Sequence, residues 1–247
     1  MNQDTARHFA LYLTEAHSCV YLTDQLSRTL FVDPHALMDG FSYQALINKG
    51  FRRSGAHVYR PHCDHCNACV PVRIPVAAFQ PNRSQRRNWQ RNVAAITSVD
   101  TPAVFNSAHF DLYCRYLAAR HPDGDMAEDA SAENYRNFLV EPWGGVTRFI
   151  EFWLADQLIG VAVTDQLEYG LSAVYTFFDP EIAERAPGVF AILTQIELAR
   201  RLALPYLYLG YWIRDCQKMA YKTRFQPLEA WNGLDWQIFA PPKKAPL

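Results

Sequence analysis

Three consecutive runs in the second half of the chain read as strands: Arg148 to Ala155, Leu158 to Leu167 and Leu171 to Asp179. Turn-like breaks at Asp156-Gln157 and Glu168-Tyr169-Gly170 separate them, the spacing of an antiparallel meander. The period then changes. After Pro187-Gly188, residues Val189, Ile192, Ile196, Ala199 and Ala203 share one helical stripe that Pro205 stops. Tyr206 to Trp212 alternates as a strand, Asp215 to Arg224 predicts a helix, and Trp231 to Phe239 predicts a last strand. Upstream, Phe110, Tyr113, Cys114 and Leu117 recur at i, i+3, i+4 and i+7, so a helix is expected there. An acidic loop from Asp123 to Glu133 leads to another helix near Tyr135 to Val140. The first part is less regular, with Pro61, Pro71, Pro75 and Pro81 punctuating short β-like runs. In one of these Val70, Val72 and Ile74 share a face. Ser42 suits the cap of a short helix stopped by Gly50.

Meander, helix, strand, helix, strand is the order of a GNAT-type acyltransferase core, an α+β architecture. Two parts are expected: an irregular, basic, Cys-containing region over residues 1–100 and a GNAT-like domain over 101–247. The chain of 247 residues is 49% hydrophobic and 20% charged, which excludes disorder and fibrous repeats. No apolar run approaches the ~18–20 residues of a membrane span. The first residues lack the basic-then-apolar layout of a secretory signal, and six cysteines do not suggest a disulfide scaffold, so a cytoplasmic protein is expected.

Net charge is −1, but its distribution is uneven. Between Gly40 and Val99 the basic residues Lys49, Arg52, Arg53, Arg60, Arg73, Arg83, Arg86, Arg87 and Arg91 face one acid, Asp64, giving +8, and the remainder carries −9. Such a block is able to meet a polyanion although the chain as a whole is not basic. A solvated surface is the plainer alternative. Interleaved Phe41, Tyr43, Phe51, Tyr59 and Trp89 favour the polyanion.

Cys63, Cys66 and Cys69 are spaced C-x₂-C-x₂-C, and Cys19 supplies a fourth thiol for a structural zinc ion or an iron–sulfur cluster. The alternative is reduced cysteines packing a Pro-rich loop. Near Gly188, Arg185-Ala186-Pro187-Gly188-Val189-Phe190 stands where a GNAT enzyme cradles the pyrophosphate of acetyl-CoA. Pro187 removes an amide there and Phe190 puts a ring where phosphate should approach, so CoA is not expected. Between Tyr208 and Lys222, Asp215, Lys218 and Lys222 lie at helical spacing beside Tyr211 and Tyr221, which suits a phosphate or carboxylate or else an ordinary surface helix.

Several blocks carry a family resemblance: Phe51 to Pro61, Cys69 to Ile74, Arg120 to Met126, and Tyr208-Leu209-Gly210-Tyr211-Trp212-Ile213 through Lys218-Met219-Ala220-Tyr221-Lys222. With the C-x₂-C-x₂-C triplet, they resemble the aminoacyl-tRNA–protein transferases, in the bacterial aspartate/glutamate leucyltransferase branch. The match runs from about Tyr21 to Trp236. The eukaryotic relatives carry a paired C-x₂-C near the N-terminus and adjacent cysteines later, a pattern this chain lacks. The resemblance implies transfer of leucine from leucyl-tRNA to the α-amine of proteins beginning with Asp or Glu, marking them for degradation, without membrane, CoA or a cofactor for the chemistry. On that reading Tyr175, Tyr211, Asp215, Lys218, Tyr221 and Lys222 line the reaction centre. Lys222 or Tyr211 would stabilise charge there, and Asp215 would orient Lys218. Arg52 or Arg53, with Ser54, would hold the acceptor carboxylate. Arg73 joins the substrate-binding set, and Arg83, Arg86 and Arg87 would meet tRNA phosphates. Arginyl-tRNA as donor is the nearest alternative, and a non-catalytic zinc-knuckle RNA-binding protein is the alternative of another class.

Overall fold

The computed structural model describes residues 8–120 and 129–240. An eight-stranded mixed sheet organises the chain. Its strands are β7 (Val70–Pro75), β8 (Ile96–Pro102), β9 (Val146–Leu154), β10 (Gln157–Leu167), β11 (Gly170–Phe178), β12 (Tyr206–Trp212), β13 (Glu229–Trp231) and β14 (Trp236–Ile238), in the spatial order β14-β13-β7-β12-β11-β10-β9-β8. The meander β9-β10-β11 forms as its pattern predicts. A smaller sheet, ordered β1-β4-β6-β5, joins β1 (Leu11–Leu13), β4 (Thr29–Val32), β5 (Arg52–Ser54) and β6 (His57–Pro61), and β2 (His17–Ser18) pairs with β3 (Leu26–Ser27).

Strand alternation sends side chains to opposite faces of the large sheet. On one face Ile150, Phe152, Ile74 and Leu207 meet Phe190, Ile192 and Ile196 of a helix we call α5 (Pro187–Arg201), with Trp89 of α2 (Arg83–Val93) packed alongside. On the other, Phe149, Val161 and Val163 meet Leu112, Tyr113 and Leu117 of α3 (Ser107–Arg120) and Tyr135 and Leu139 of α4 (Ala132–Tyr135, continued by a π turn to Val140). Further along that face α1 (Gly40–Ile47) packs Tyr43, Leu46 and Ile47 against Val58, Trp143 and Leu167.

Four differences from the sequence reading have physical causes. Asp39, not Ser42, caps α1: its carboxylate accepts the Ser42 amide at 2.7 Å. The last strand is a hairpin, β13-β14, turned at Gly233 with φ +105°. Residues Gln217–Arg224 form a 3₁₀ helix, so Lys218 and Lys222 do not share a face: with three residues per turn a spacing of four is out of phase. Lys218 is exposed and Lys222 is 3% exposed. Finally, β7 lies within the large sheet between β12 and β13, so a strand from the first hundred residues is shared with the second part. Most of the acidic loop, and His121 to Met126 of the resemblance block, lie outside the described residues.

Candidate active site

Among the pairings of the large sheet one is parallel: β11 with β12, joined by the α5 crossover. Its register covers only Gly170 to Ser172 against Tyr206 to Tyr208, and both strands run on beyond it. The two strands therefore open into a wedge, and Arg52 reaches into it from β5. Its Nη2 donates to the Val174 carbonyl of β11 at 3.5 Å, a weak bond. On the β12 side, a Cβ on Gly210 would sit 3.2 Å from Arg52 Nη1, and Gly210 has φ +72°. Glycine at 210 thus serves both the backbone turn and the close approach of the guanidinium.

Arg52 is half-buried and, among the described residues, makes no ion pair with Asp or Glu. The phenols of Tyr59, Tyr211, Tyr21 and Tyr43 surround it instead. Tyr59 leads in holding its pKa above the ordinary guanidinium value, against the opposing effect of burial. A cleft beside Arg52 is lined by Tyr43, Ser172, Tyr208, Gly210 and Tyr211.

Tyr211 lines this cleft and Lys222 is held on its carbonyl, neither as expected. The Tyr211 hydroxyl donates to the Gly50 carbonyl at 3.0 Å, and burial pushes its phenol well above the usual value, so it is a neutral wall. Its ring lies 5.9 Å from the Arg52 guanidinium carbon. Lys222 Nζ is anchored on the Tyr211 carbonyl and lies 3.3 Å from Met219 Sδ. Burial first, then the Arg52 charge, bring this lysine down to about 7. Tyr221 stands at the rim, 40% exposed, its ring 5.9 Å from Lys222 Nζ.

Other expected site residues lie elsewhere. Arg53 is 1% exposed and grips Asp165 through Nε at 2.6 Å and Nη2 at 2.5 Å, with further bonds to the Gly55 carbonyl and Thr147. It has no face left for a substrate carboxylate. Arg73 pairs with Glu229 at 2.7 Å, its guanidinium carbon 3.5 Å from the Tyr206 ring centroid and 4.3 Å from that of Trp236, and is likewise occupied. Ser54 ends β5 opposite His57. Tyr175 belongs to the ring cluster of Tyr113, Tyr116, Phe138 and Phe177, and its buried hydroxyl has no hydrogen-bond partner among the described residues. Asp215 and Lys218 are on the surface.

Arg83, Arg86 and Arg87 are exposed along α2, a helix containing no acid. That helix carries a signal the sequence reading passed over: Asn82 and Gln85 form a reciprocal capping box. Gln85 Nε2 also donates to the Arg224 carbonyl at 3.0 Å, tying α2 to the 3₁₀ helix that bears Lys222. Its other end binds the loop entering α5, through Asn88 and Asn92 to the Arg185 carbonyl at 2.8 and 3.0 Å. The Phe190 ring does not project toward a phosphate as expected. It is 2% exposed and packs on Trp89, 5.5 Å between centroids.

Cys19, Cys63, Cys66 and Cys69 do approach one another. Burial first, then the charges of Cys19, Cys63 and Cys66, push the Cys69 thiol up to about 12. Cys63 Sγ turns to Ser27 Oγ at 3.9 Å and the Arg28 carbonyl at 3.8 Å. Among the described residues no three His, Cys, Asp or Glu side chains gather as a metal-binding group. As placed, the four thiols do not gather as a zinc or iron–sulfur centre requires.

A half-buried cation without a carboxylate lines the cleft, and a buried amine is held on the carbonyl of its Tyr211 wall, an arrangement suited to a transferase with an anionic substrate. Comparison with known proteins makes the class specific. Residues 17–87 match the family model "Arginine-tRNA-protein transferase, N terminus", and residues 108–232 match "Arginine-tRNA-protein transferase, C terminus". Proteins named aspartate/glutamate leucyltransferase are similar over nearly their whole length. That of Teredinibacter turnerae is 51% identical over 92% of each chain. That of Chromohalobacter salexigens is 52% identical over 94% of this chain and 93% of the relative. The Nitrosococcus oceani protein is 49% identical over 94% and 96%. The chain belongs to this family of aminoacyl-tRNA–protein transferases.

Proposed function

We propose that the protein transfers leucine from leucyl-tRNA to the α-amine of proteins beginning with Asp or Glu, creating a degradation signal. The observation that carries the acceptor side is Arg52: its guanidinium lines the cleft without an acidic partner among the described residues and is left to pair with the side-chain carboxylate of the acceptor's first residue, whereas Arg53 and Arg73 are already paired. The donor follows from the relatives' names.

The ester of a charged tRNA is already activated, and an α-amine with pKa ~7.7–8.0 is substantially neutral near pH 7. Holding the two in near-attack geometry supplies much of the rate, with effective molarities of ~10⁵ M or more in good cases. The wedge between β11 and β12 is our candidate for the place where they meet, which supports a GNAT-like core. The loop entering α5 is occupied by Asn88 and Asn92 of α2, which supports a donor other than CoA. Arg83, Arg86 and Arg87 would then guide tRNA phosphates toward the 3₁₀ helix. The expected division at residue 100 becomes one of labour: the first part supplies Arg52 and the basic helix, the second the wedge. The work belongs in the cytoplasm, where charged tRNA is made, and no described helix is long and apolar enough to cross a membrane.

The test mixes the protein with leucyl- or arginyl-tRNA and reporter peptides beginning with Asp, Glu, Lys or Arg, with and without ribonuclease. Product masses should show leucine on Asp and Glu peptides only, abolished by ribonuclease. Arginine in the product would transfer the reading to the other donor, and no extension of any acidic N-terminus would overturn it.

A further inference from the structure

One end of the large sheet, β12-β7-β13-β14, gathers aromatic rings on a single face. Alternation on β12 sends Leu207 and Leu209 to the face that α5 packs, and Tyr206 and Tyr208 to the other. Arg73 of β7 shares this second face, its guanidinium carbon 3.5 Å from the Tyr206 ring centroid and 4.3 Å from that of Trp236. Trp231 and Trp236, from β13 and β14, add two rings with centroids 5.9 Å apart. These side chains line a groove of about 850 Å³, flanked by Ala45, Asn48 and Lys49 at the end of α1, a size that suits a ligand. The rings are fixed in place. Arg73 is tied to Glu229 at 2.7 Å, the Trp236 indole donates to the Asn48 carbonyl at 2.9 Å, and the Tyr208 hydroxyl donates to Asn48 Oδ1 at 2.6 Å. A groove that is already rigid loses little freedom when it binds.

Two features identify its occupant. Tyr208 and Trp236 line both this groove and the cleft of Arg52, so the one continues into the other. The groove also lies on the face turned away from the basic helix α2, and its charges cancel: Arg73 is paired with Glu229, and Lys49 and Asp235 add one of each sign. A nucleic-acid strand carries a charge at every phosphate and asks for an excess of cations, whereas a polypeptide does not. We propose that the groove receives the acceptor polypeptide just beyond its first residue and takes an aromatic or large apolar side chain at the third. The proposal rests on Arg52 holding the acidic first residue in leucine transfer. Gly210, beside Arg52, is followed at two-residue steps along β12 by Tyr208 and then Tyr206, ~6.6 Å for each step. An extended peptide has the same rise, and its first and third side chains face the protein while the second faces away. With its first carboxylate on Arg52, such a peptide brings its third side chain to the rings of Tyr208 and Trp236, where edge-to-face contacts favour an aromatic partner. Selection of acceptors therefore extends past the acidic residue.

The experiment compares leucine transfer by the full-length protein to peptides that share an N-terminal Asp and a common tail and carry either Gly or Phe at the third position. kcat/KM should be ~10-fold higher for the Phe peptide, with the gain in KM. Equal values would overturn the proposal. In Tyr206→Ala the preference should shrink to less than about twofold. A preference that survives there would overturn it, and so would a raised KM for charged tRNA in place of the lost preference, which would hand the groove to nucleic acid. A second readout stands if Tyr206→Ala does not fold. In native protein labelled with 5-fluorotryptophan, without tRNA, the ¹⁹F signal of Trp236, assigned by its loss in Trp236→Phe, should move further with saturating Phe peptide than with saturating Gly peptide. Identical positions with the two peptides would overturn the proposal. Failure of the native protein to transfer leucine to any Asp-starting peptide would sink the functional reading, whereas transfer indifferent to the third residue would sink only this inference.

Discussion

Arg52 and Arg53 are consecutive residues of one short strand, and their side chains leave it for opposite surroundings. Arg53 enters a closed polar network with Asp165, Thr147 and the Gly55 carbonyl, and its guanidinium carbon lies 5.0 Å from the centroid of the Trp143 ring. Arg52 enters a cleft of phenols with one weak backbone bond and no carboxylate. The first arrangement is complete and the second is not. A buried or half-buried charge is costly unless it is paired, so an incomplete one marks where a ligand completes the structure, while a complete one fixes the frame around it. Arg73 with Glu229 belongs to the frame, and Lys222 is held on the backbone of the cleft-lining Tyr211.

The two neighbours should therefore fail differently. Arg53→Ala leaves Asp165, which is 0% exposed, without its cation, and should destabilise the protein by about 3–5 kcal/mol. Chemical denaturation would show it as a lower midpoint with an unchanged slope. Arg52→Gln should leave stability nearly untouched and lower kcat/KM for Asp-starting peptides by ~10²–10³-fold, the scale expected for removing one partner of a desolvated charge pair. If Arg53→Ala folds normally and only loses transfer, the assignment of frame and cleft is reversed.

Lys222 sharpens the comparison through pH. Its folded-state value of about 7 lies below the ~10.4 of an unfolded lysine. Below pH 7 both states hold the proton, and the folded state bears the full cost of burying it. Between about 7 and 10.4 the unfolded state binds more protons, so stability rises with pH, and above that window the cost is gone. Lys222→Met should be more stable than the native protein at pH 6, by a few kcal/mol, and the difference should vanish by about pH 10.5. Equal stabilities of the two proteins at pH 6 would show that the amine is not confined as described.

The basic helix carries a smaller effect. Replacing Arg83, Arg86 and Arg87 together by Gln should raise KM for charged tRNA and flatten its salt dependence by ~0.7–0.9 in log–log slope for each phosphate no longer neutralised. An unchanged slope would remove α2 from the tRNA path.

What the sequence revealed and what it hid follow the same division. The meander, α5 and β12 were readable because burial on one face leaves a period, as in Val161, Val163 and Phe149 or in Ile192 and Ile196. The segment 217–224 misled because a lysine pair four apart looks alike in α and 3₁₀ geometry until the turn is known, and here one lysine is buried and the other exposed. The choice between Arg52 and Arg53 was not readable at all. It depends on Asp165, 112 positions away, and no local pattern records which of two adjacent guanidinia a distant carboxylate selects. The cysteine spacing suggested a metal, but spacing does not report how the thiols are turned, and Cys63 Sγ faces Ser27 Oγ and the Arg28 carbonyl.

The smallest effect concerns how frame and cleft are joined. Asn82 accepts the Gln85 amide at 3.0 Å, and the Gln85 side chain accepts the Asn82 amide at 2.8 Å. The same Gln85 donates to the Arg224 carbonyl, two residues after Lys222. The cap that starts α2 therefore also orients the segment carrying the buried amine. Asn82→Ala removes one half of the box and should cost about 1 kcal/mol. Were α2 only a surface for phosphates, KM for charged tRNA would rise and kcat would hold. Because Gln85 links it to the lysine segment, we expect kcat to fall as well, by roughly two- to fivefold, within the reach of that cap energy. Single-turnover transfer with the tRNA held saturating separates the two: an unaltered rate would confine α2 to docking, and a slowed one would make it part of the support of Lys222.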